Sequence, residues 1–346
     1  MEKDSKIRIL NVISGSNRGG AEKFFERFSI ALNKESDILQ KVVIRKNKRR
    51  YNLLKKNGLD VEELAFMGKW DLFTKISLEK KCKIFKPEII LTWMNRASYL
   101  ISDFDRSIVK IGRLGGYYNL KNYIYCDYLI VNTEDLKNFV VSKGWDPKKV
   151  FWLNNFVSRG LESNKKIKKI VDEKILLGLG RFHENKAFEV IINAMPKLKN
   201  FKLILIGEGK LKKYYQLIAK KLGVSNQVKI IDWVDDVSKY YLSADYLICT
   251  SRVEPLGNII PEAWSYKVPV IASNIMGPKR LIKHKINGMK FEVEDEEGLI
   301  SCVKEINSNK VLRNKITENA YNDYKKKFSK DLVIKKYKKL FKLLKK

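Results

Sequence analysis

Short apolar runs of strand length alternate with stretches of helical periodicity along almost the whole chain, and the alternation occurs twice. The first series holds IRILNVIS (7–14), KVVIRK (41–46), EIILTW (88–93), VKIGRL (109–114) and YLIVNT (128–133). Helical stretches lie between, as in AEKFFERFSIALNK (21–34). The second holds KILLGLGRF (174–182), FKLILIGEG (201–209), QVKIIDWV (227–234), YLICTSR (246–252) and VPVIAS (268–273), with helices predicted at 187–198, 210–222, 236–243 and 257–266. Strands alternating with helices imply a parallel sheet covered on both faces. Between the series, SRGLESNKKIKKIVDEK (158–174) is polar, Lys-rich and without apolar periodicity, which predicts an interdomain linker. The expected fold class is α/β: two doubly wound, Rossmann-like domains facing across a cleft. An N-terminal domain is expected over 1–160, a C-terminal domain over 173–325, and a basic amphipathic helix over 326–346. Ligands in such sheets bind at the carboxyl ends of the strands, and with two domains the space between them is the default site.

The net charge of +31 would suit nucleic acid or an anionic membrane. Only 14 of the 70 basic residues are arginine, however, whereas base and phosphate readers lean on its bidentate fork. A chain-wide bias toward Lys, Ile and Asn and a selected basic surface remain compatible explanations. The low arginine share and the lack of a recognition motif speak against a nucleic-acid partner. Cys82, Cys126, Cys249 and Cys302 are widely spaced and, with His183 and His284, make a poor ligand set, so free buried thiols in a reducing compartment are expected rather than structural zinc. The apolar run near the N-terminus is too short for a signal peptide and reads as a buried first strand. No window suffices to span a bilayer. A cytoplasmic protein is expected, with the inner face of the cytoplasmic membrane as a possible peripheral location. The tail SKDLVIKKYKKLFKLLKK carries Leu332, Val333, Ile334, Tyr337, Leu340, Phe341 and Leu344 at helical intervals. Packing of that stripe on the fold is the preferred reading; an interfacial membrane helix is the other.

The segment SRVEPLGNIIPEAWSYKVPVIAS (251–273) carries the strongest chemical signal. A strand ends at Thr250, a short loop carries Glu254, and a helix is expected to start near Gly257 with Glu262 about one turn in. Pro261 is tolerated because first-turn amides lack intrahelical partners. A loop at a helix N-terminus offers N–H groups and a positive dipole end suited to a diphosphate, and Gly257 lets backbone approach a ligand. Two carboxylates eight positions apart can accept from separate sets of sugar hydroxyls.

This segment resembles the group 1 glycosyltransferases, a retaining family of GT-B fold that uses nucleotide-activated sugars. The likeness extends over roughly 174–306 through GLGRFHENKAFEVIINAM, LILIGEGKLKKYYQLIAKKLGVSNQVKIIDWV and GPKRLIKHKINGMKFEVEDEEGL. It implies that Arg181 and Lys186 clamp the donor diphosphate, that Glu262 binds the ribose hydroxyls, and that Glu254 faces the transferred sugar. Leu256, Gly257 and Asn258 match the backbone that cradles the distal phosphate or sugar. In the N-terminal half, SGSNRGGAEKF (14–24) resembles a Gly-Gly-Ala-Glu loop that faces the donor, with Gly19 and Gly20 at the matching positions.

Three departures stand out. Ala187 follows Lys186 where the family has glycine, and Arg280 stands where an acidic residue is common. The stretch GRLGGYYNLKNY (112–123) has no histidine where many relatives carry one. Tyr117, Tyr118 and Asn119 are therefore candidates for shaping the acceptor pocket, joined by Trp93, Met94, Asn95 and Arg96 at another strand end; plain loop packing is the alternative for all of them. The D-x-D triplet Asp103-Phe104-Asp105 and the sequence Gly207-Glu208-Gly209-Lys210 are set aside, the second because its spacing is not that of a P-loop. The resemblance implies transfer of a hexose-type sugar from a nucleoside diphosphate to an acceptor hydroxyl, with retention and with no metal or other cofactor. The expected partners are a nucleotide-sugar donor, a glycan or lipid-linked acceptor of lipopolysaccharide or other envelope type, and a possible anionic membrane surface. A nucleotide-sugar epimerase or hydrolase of the same fold, or a non-catalytic nucleic-acid or membrane binding protein, is the rival class.

Overall fold

The computed structural model describes residues 6–16, 19–68, 71–101, 104–157 and 173–345, which form two compact units. The expected linker 158–174 lies outside the described residues up to 172, and Lys174 already opens a strand.

The first unit runs from the N-terminus to Phe156 and takes back the chain's last helix. Its elements are β1 (Ile7–Ile13), α1 (Gly20–Leu32), β2 (Ile38–Arg45), α2 (Lys48–Lys56), β3 (Asp60–Leu64), α3 (Leu72–Phe85), β4 (Ile89–Trp93), α4 (Met94–Tyr99), β5 (Val109–Arg113), β6 (Tyr128–Val131), α5 (Glu134–Ser142) and β7 (Val150–Trp152). The sheet order is β3-β2-β1-β4-β5-β6-β7 and every pairing is parallel. Central β4 and β5 are buried at every position, as expected for strands covered on both faces. The order reverses between β1 and β4, so that junction is the switch point. Helix starts follow side-chain caps: Asn47 accepts from Arg50 N, Asp71 from Thr74 N and Thr133 from Leu136 N.

The second unit, Val157–Ser329, repeats the plan. It holds β8 (Lys174–Leu179), α6 (Phe188–Ala194), β9 (Phe201–Ile206), α7 (Lys212–Lys221), β10 (Val228–Ile231), α8 (Ser238–Ser243), β11 (Tyr246–Cys249), α9 (Ile259–Ser265), β12 (Val270–Ser273), α10 (Met276–Leu281), β13 (Met289–Phe291), α11 (Glu296–Ser308) and α12 (Lys310–Lys327). The parallel order β10-β9-β8-β11-β12-β13 reverses between β8 and β11.

The last helix, α13 (Lys330–Leu344), is not a free-standing element. Val333, Ile334, Tyr337, Leu340, Phe341 and Leu344 are buried in the first unit's core with Phe28 and Leu32 of α1. The rings of Tyr337 and Phe28 lie 4.6 Å apart. The apolar stripe is thus consumed by the fold and unavailable as an interfacial membrane face. Phe341→Ala should cost about 3–5 kcal/mol in unfolding of this unit, measurable by denaturant titration.

Lys338 and Lys342 also pin α13 to Asp37, at 2.6 and 3.1 Å. Partial burial raises the Asp37 carboxyl's pKa, and the two ammonium groups more than reverse it, so Asp37 titrates below its ordinary value. A depressed carboxylate stabilises the fold above its unfolded pKa of about 3.9 and stops doing so as pH falls through its folded value. The stability gap between wild type and Asp37→Asn should therefore be full above about pH 5 and close below it, as followed by thermal unfolding across pH.

Candidate active site

The loops leaving β8 and β11, at the second unit's switch point, bring the expected donor residues together. After β8 the chain turns through Arg181 into a 3₁₀ turn, Glu184–Lys186. After β11 it runs through Glu254 to α9. The Lys186 ammonium sits on Glu254 Oε2, with only 20% and 13% of the two side chains exposed. Gly257 N donates to the other carboxylate oxygen at 3.1 Å, and Gly277 N to the Glu254 carbonyl at 3.0 Å. Gly257 supports this turn with a left-handed φ of 62°. The expectation that these loop amides are open to a ligand is therefore corrected for Gly257, whose N–H serves Glu254. The helix itself starts at Ile259, with Asn258 as N-cap.

The loops are stitched by backbone as well. Thr250 Oγ1 donates to the Lys186 carbonyl at 2.9 Å, and Arg252 N donates to the Asn185 carbonyl at 2.9 Å. Arg252, which sequence reasoning did not single out, pairs with Glu189 at 2.7 Å and donates to the Glu184 carbonyl at 2.8 Å. Arg181 is exposed and has no side-chain partner among the described residues, so its guanidinium is available. Glu262 accepts from the Tyr241 hydroxyl at 3.3 Å, and Tyr241 stacks on Tyr266 with centroids 5.0 Å apart. Leu256 lies on the same loop, half-buried. Ala187, the departure from glycine, sits at φ 47°, ψ 43°, a left-handed conformation that explains a preference for glycine there. Arg280 donates to the Pro255 carbonyl at 3.2 Å and so leans on the Glu254 loop. Burial pushes the Cys249 thiol up, and Glu254 adds to the shift, so it stays protonated beside the site.

In the first unit the candidates also gather at carboxyl ends of strands around the switch point. Gly19 and Gly20 follow β1, Asn95 follows β4, and Tyr117, Tyr118 and Asn119 follow β5. Residues 17 and 18 of the glycine loop lie outside the described residues, as does Asp103 of the D-x-D triplet. Glu22 folds back on its own loop, accepting from Ser16 N and Ser16 Oγ, both at 2.8 Å. A Cβ on Gly19 would lie 2.2 Å from Glu22 Oε2, whereas one on Gly20 would meet nothing within 4 Å. Gly19 thus serves the loop itself, and Gly20 leaves open space. Asn95 Oδ1 is buried without a partner. Asn119 caps the following turn through Lys121 N at 3.0 Å, so its oxygen is engaged structurally. Tyr117 is half-exposed against Phe139. Burial pushes the Tyr118 phenol up, Glu22 adds to this and Arg113 opposes it, leaving a hydroxyl that stays protonated at neutral pH.

Arg113, at the end of β5, gave no sequence signal. It is 1% exposed, lies 4.4 and 4.6 Å from the ring centroids of Trp93 and Phe24, and donates to the Tyr337 hydroxyl at 3.0 Å and to Asn155 Oδ1. Trp93 in turn donates to Asn11 Oδ1 at 2.6 Å. The cation is held by rings and neutral acceptors, with no carboxylate partner among the described residues.

The profile of the family described as glycosyl transferases group 1 matches residues 161–323, the span that carries Arg181, Lys186, Glu254 and Glu262. Over that span, just under half of the chain, the sequence is similar to the group 1 glycosyl transferases. Among curated relatives, it is 27% identical over 325 residues to the lipopolysaccharide core biosynthesis glycosyltransferase LpsE of Rhizobium meliloti, covering 92% of this chain and 94% of that protein. It is 25% identical to LpsD of the same organism, a protein of the same description, over 97% and 98% of the two chains. The crystal structure of Anabaena Alr3699/HepE in complex with UDP superposes with a TM-score of 0.85 at 17% identity, over 98% of this chain and 100% of that one. The α/β fold of GT-B type expected from the resemblance is the fold observed. The chain is a glycosyltransferase enzyme. No helix among the described residues is long and apolar enough to cross a membrane.

Proposed function

We propose that this enzyme transfers a hexose-type sugar from a nucleoside diphosphate to a hydroxyl of a lipopolysaccharide-type or other cell-envelope acceptor, with retention of configuration. The observation that carries the reading is the Lys186–Glu254 pair at the β8/β11 switch point, with the available Arg181 on the loop beside it. An incoming diphosphate competes for the Lys186 ammonium and releases the Glu254 carboxylate for sugar hydroxyls. Arg181 grips phosphate as a fork and Lys186 as a point charge. Together they stabilise the charge that grows on the leaving diphosphate, a preorganised electrostatic role in which this reading assigns no metal. Glu262 accepts from the ribose hydroxyls, Leu256, Gly257 and Asn258 line the distal phosphate and sugar, and Gly20 leaves room for the donor. Tyr117, Tyr118 and Asn95 belong to the acceptor side, with the Tyr118 hydroxyl as a donor of hydrogen bonds. No protein nucleophile is assigned, and attack comes from the face the leaving group departs.

The names of LpsE and LpsD support the lipopolysaccharide part. The HepE structures with UDP and UDP-glucose support a nucleoside-diphosphate hexose. A lipid-linked acceptor places the enzyme at the inner face of the cytoplasmic membrane. The test is a panel of nucleotide-sugars followed by thermal unfolding and then by product analysis. A matching donor at a hundredfold its Kd should stabilise by about 2.7 kcal/mol. Sugar appearing on an acceptor supports transfer; free sugar or an epimerised donor alone contradicts it. Gly20→Ala should leave the melting temperature unchanged or slightly raised, since Ala favours a helix start, while reducing transfer.

A further inference from the structure

We propose that the outward face of α3 in the first unit is a docking surface for an anionic lipid bilayer. The inference rests on the lipid-linked acceptor proposed above for its role in the reaction, and on α3 itself for its evidence. Thr74, Leu78 and Cys82 bury one side of this helix in the core. The opposite side exposes Leu72 by 61%, Phe73 by 81%, Ile76 by 54% and Ile84 by 70%, and Met67 just before the helix is 75% exposed. Scattered exposed apolar residues are ordinary, but large ones gathered on one helix face mark an interaction surface.

Charge selects the occupant. Lys80 and Lys83 stand among these apolar side chains on the same face, Lys83 paired with Glu79 at 3.3 Å. The chain carries a net +31, so a second copy would bring like charge onto like. An anionic bilayer complements both features: apolar side chains enter the headgroup–acyl boundary while lysine stems lie along it and their ammonium groups meet lipid phosphate. Position fits as well. The helix follows the carboxyl end of β3, on the sheet edge that carries Gly20 and Asn95. Its N-terminal end is tied there, since Asp71 accepts from Met67 N at 2.7 Å and Arg96 donates to the Phe66 carbonyl at 2.6 Å. A bilayer on α3 would border the edge where the acceptor is expected. The tail helix α13 is basic, but six of its apolar residues are buried and Leu343, 71% exposed, stands without a comparable apolar cluster around it, so it lacks this combination.

The experiment is flotation of the full chain with phosphatidylcholine vesicles and with phosphatidylcholine–phosphatidylglycerol vesicles, without donor or acceptor. The wild type should float with the anionic vesicles and lose binding as salt rises. Phe73→Ser/Ile76→Ser, at exposed positions, should fold normally and lower the partition coefficient at least roughly tenfold. Lys80→Gln/Lys83→Gln should weaken binding to the anionic vesicles, and Lys335→Gln/Lys336→Gln/Lys339→Gln on α13 should change it by less than about twofold. The proposal is overturned if the wild type ignores anionic vesicles, if the α3 apolar variant floats as the wild type does, or if the α13 variant is the one that fails. It is also overturned if ultracentrifugation shows a dimer that Phe73→Ser/Ile76→Ser dissolves, which would make the occupant a second copy. Nucleotide-sugar binding, measured separately in solution, keeps the fate of the donor reading distinct.

Discussion

Lys186→Ala lowers kcat/KM for sugar transfer by about 10²–10³-fold, the loss expected when one preorganised group is removed from developing charge. The fold should survive the change. What holds this loop is backbone: Lys186 N donates to the His183 carbonyl at 2.8 Å, and the Lys186 carbonyl accepts from Thr250 at 2.9 Å. Truncation at Cβ leaves both contacts in place. It removes the ammonium from Glu254, whose carboxylate then keeps only the Gly257 N–H among the described residues. Because charge on the diphosphate grows as the sugar bond breaks, the fall should lie mostly in kcat rather than in donor KM. Lys186→Arg should restore part of it by keeping the charge. Steady-state kinetics with the donor varied reads both parameters. A variant with wild-type kcat would remove Lys186 from the chemistry.

Gly207→Ala should disrupt the donor site from behind. A Cβ at Gly207 would lie 1.8 Å from the Gly180 carbonyl oxygen and 2.9 Å from its carbon. The obstacle is backbone, so no side-chain rotation relieves it. The crossing is also locked: Gly180 N donates to the Ile206 carbonyl at 3.0 Å, Phe182 N to the Glu208 carbonyl at 2.8 Å, and Gly207 N to the Ile231 carbonyl at 3.0 Å. Arg181 hangs from the middle of this crossing. Relief must break at least one of these bonds, at a cost of about 1–3 kcal/mol or more. The second unit should then melt several degrees lower, at roughly 2–4 °C per kcal/mol for its size, and donor affinity should fall with the displaced Arg181. Calorimetry of unfolding and donor titration check the two halves together. An unchanged melting temperature would mean that the crossing is looser than its geometry implies.

Much of this fold is legible in the sequence because its central strands are buried on both faces. The apolar runs at 7–14, 88–93 and 174–182 coincide with β1, β4 and β8 to within a few residues. Strands escaped notice where that signal is weak. β3 is DVEEL, with three acids in five residues, at a sheet edge, and β7 and β13 span three residues each. The stripe on α13 was legible, but its destination was not, since it docks on α1 some 300 residues earlier in the chain. The site shows the same division. The resemblance brought Lys186 and Glu254 to notice separately; only the topology reveals that residues 68 apart form one ion pair. Arg113 left no trace because a buried cation held by rings and neutral oxygens follows no motif. Arg252 had a faint one, standing directly after a strand in a segment already singled out.

Titration of nucleoside-diphosphate sugars into the wild type and into Arg181→Ala by isothermal calorimetry tests the central claim most directly. Arg181 is exposed and has no side-chain partner among the described residues, so its loss should leave the fold intact and report on the ligand alone. A matching donor should bind the wild type and bind Arg181→Ala at least about tenfold more weakly, the worth of one charge-assisted phosphate contact. Equal affinity for both proteins, or no binding of any nucleotide-sugar to the wild type, would contradict a donor site built on Arg181, Lys186, Glu254 and Glu262.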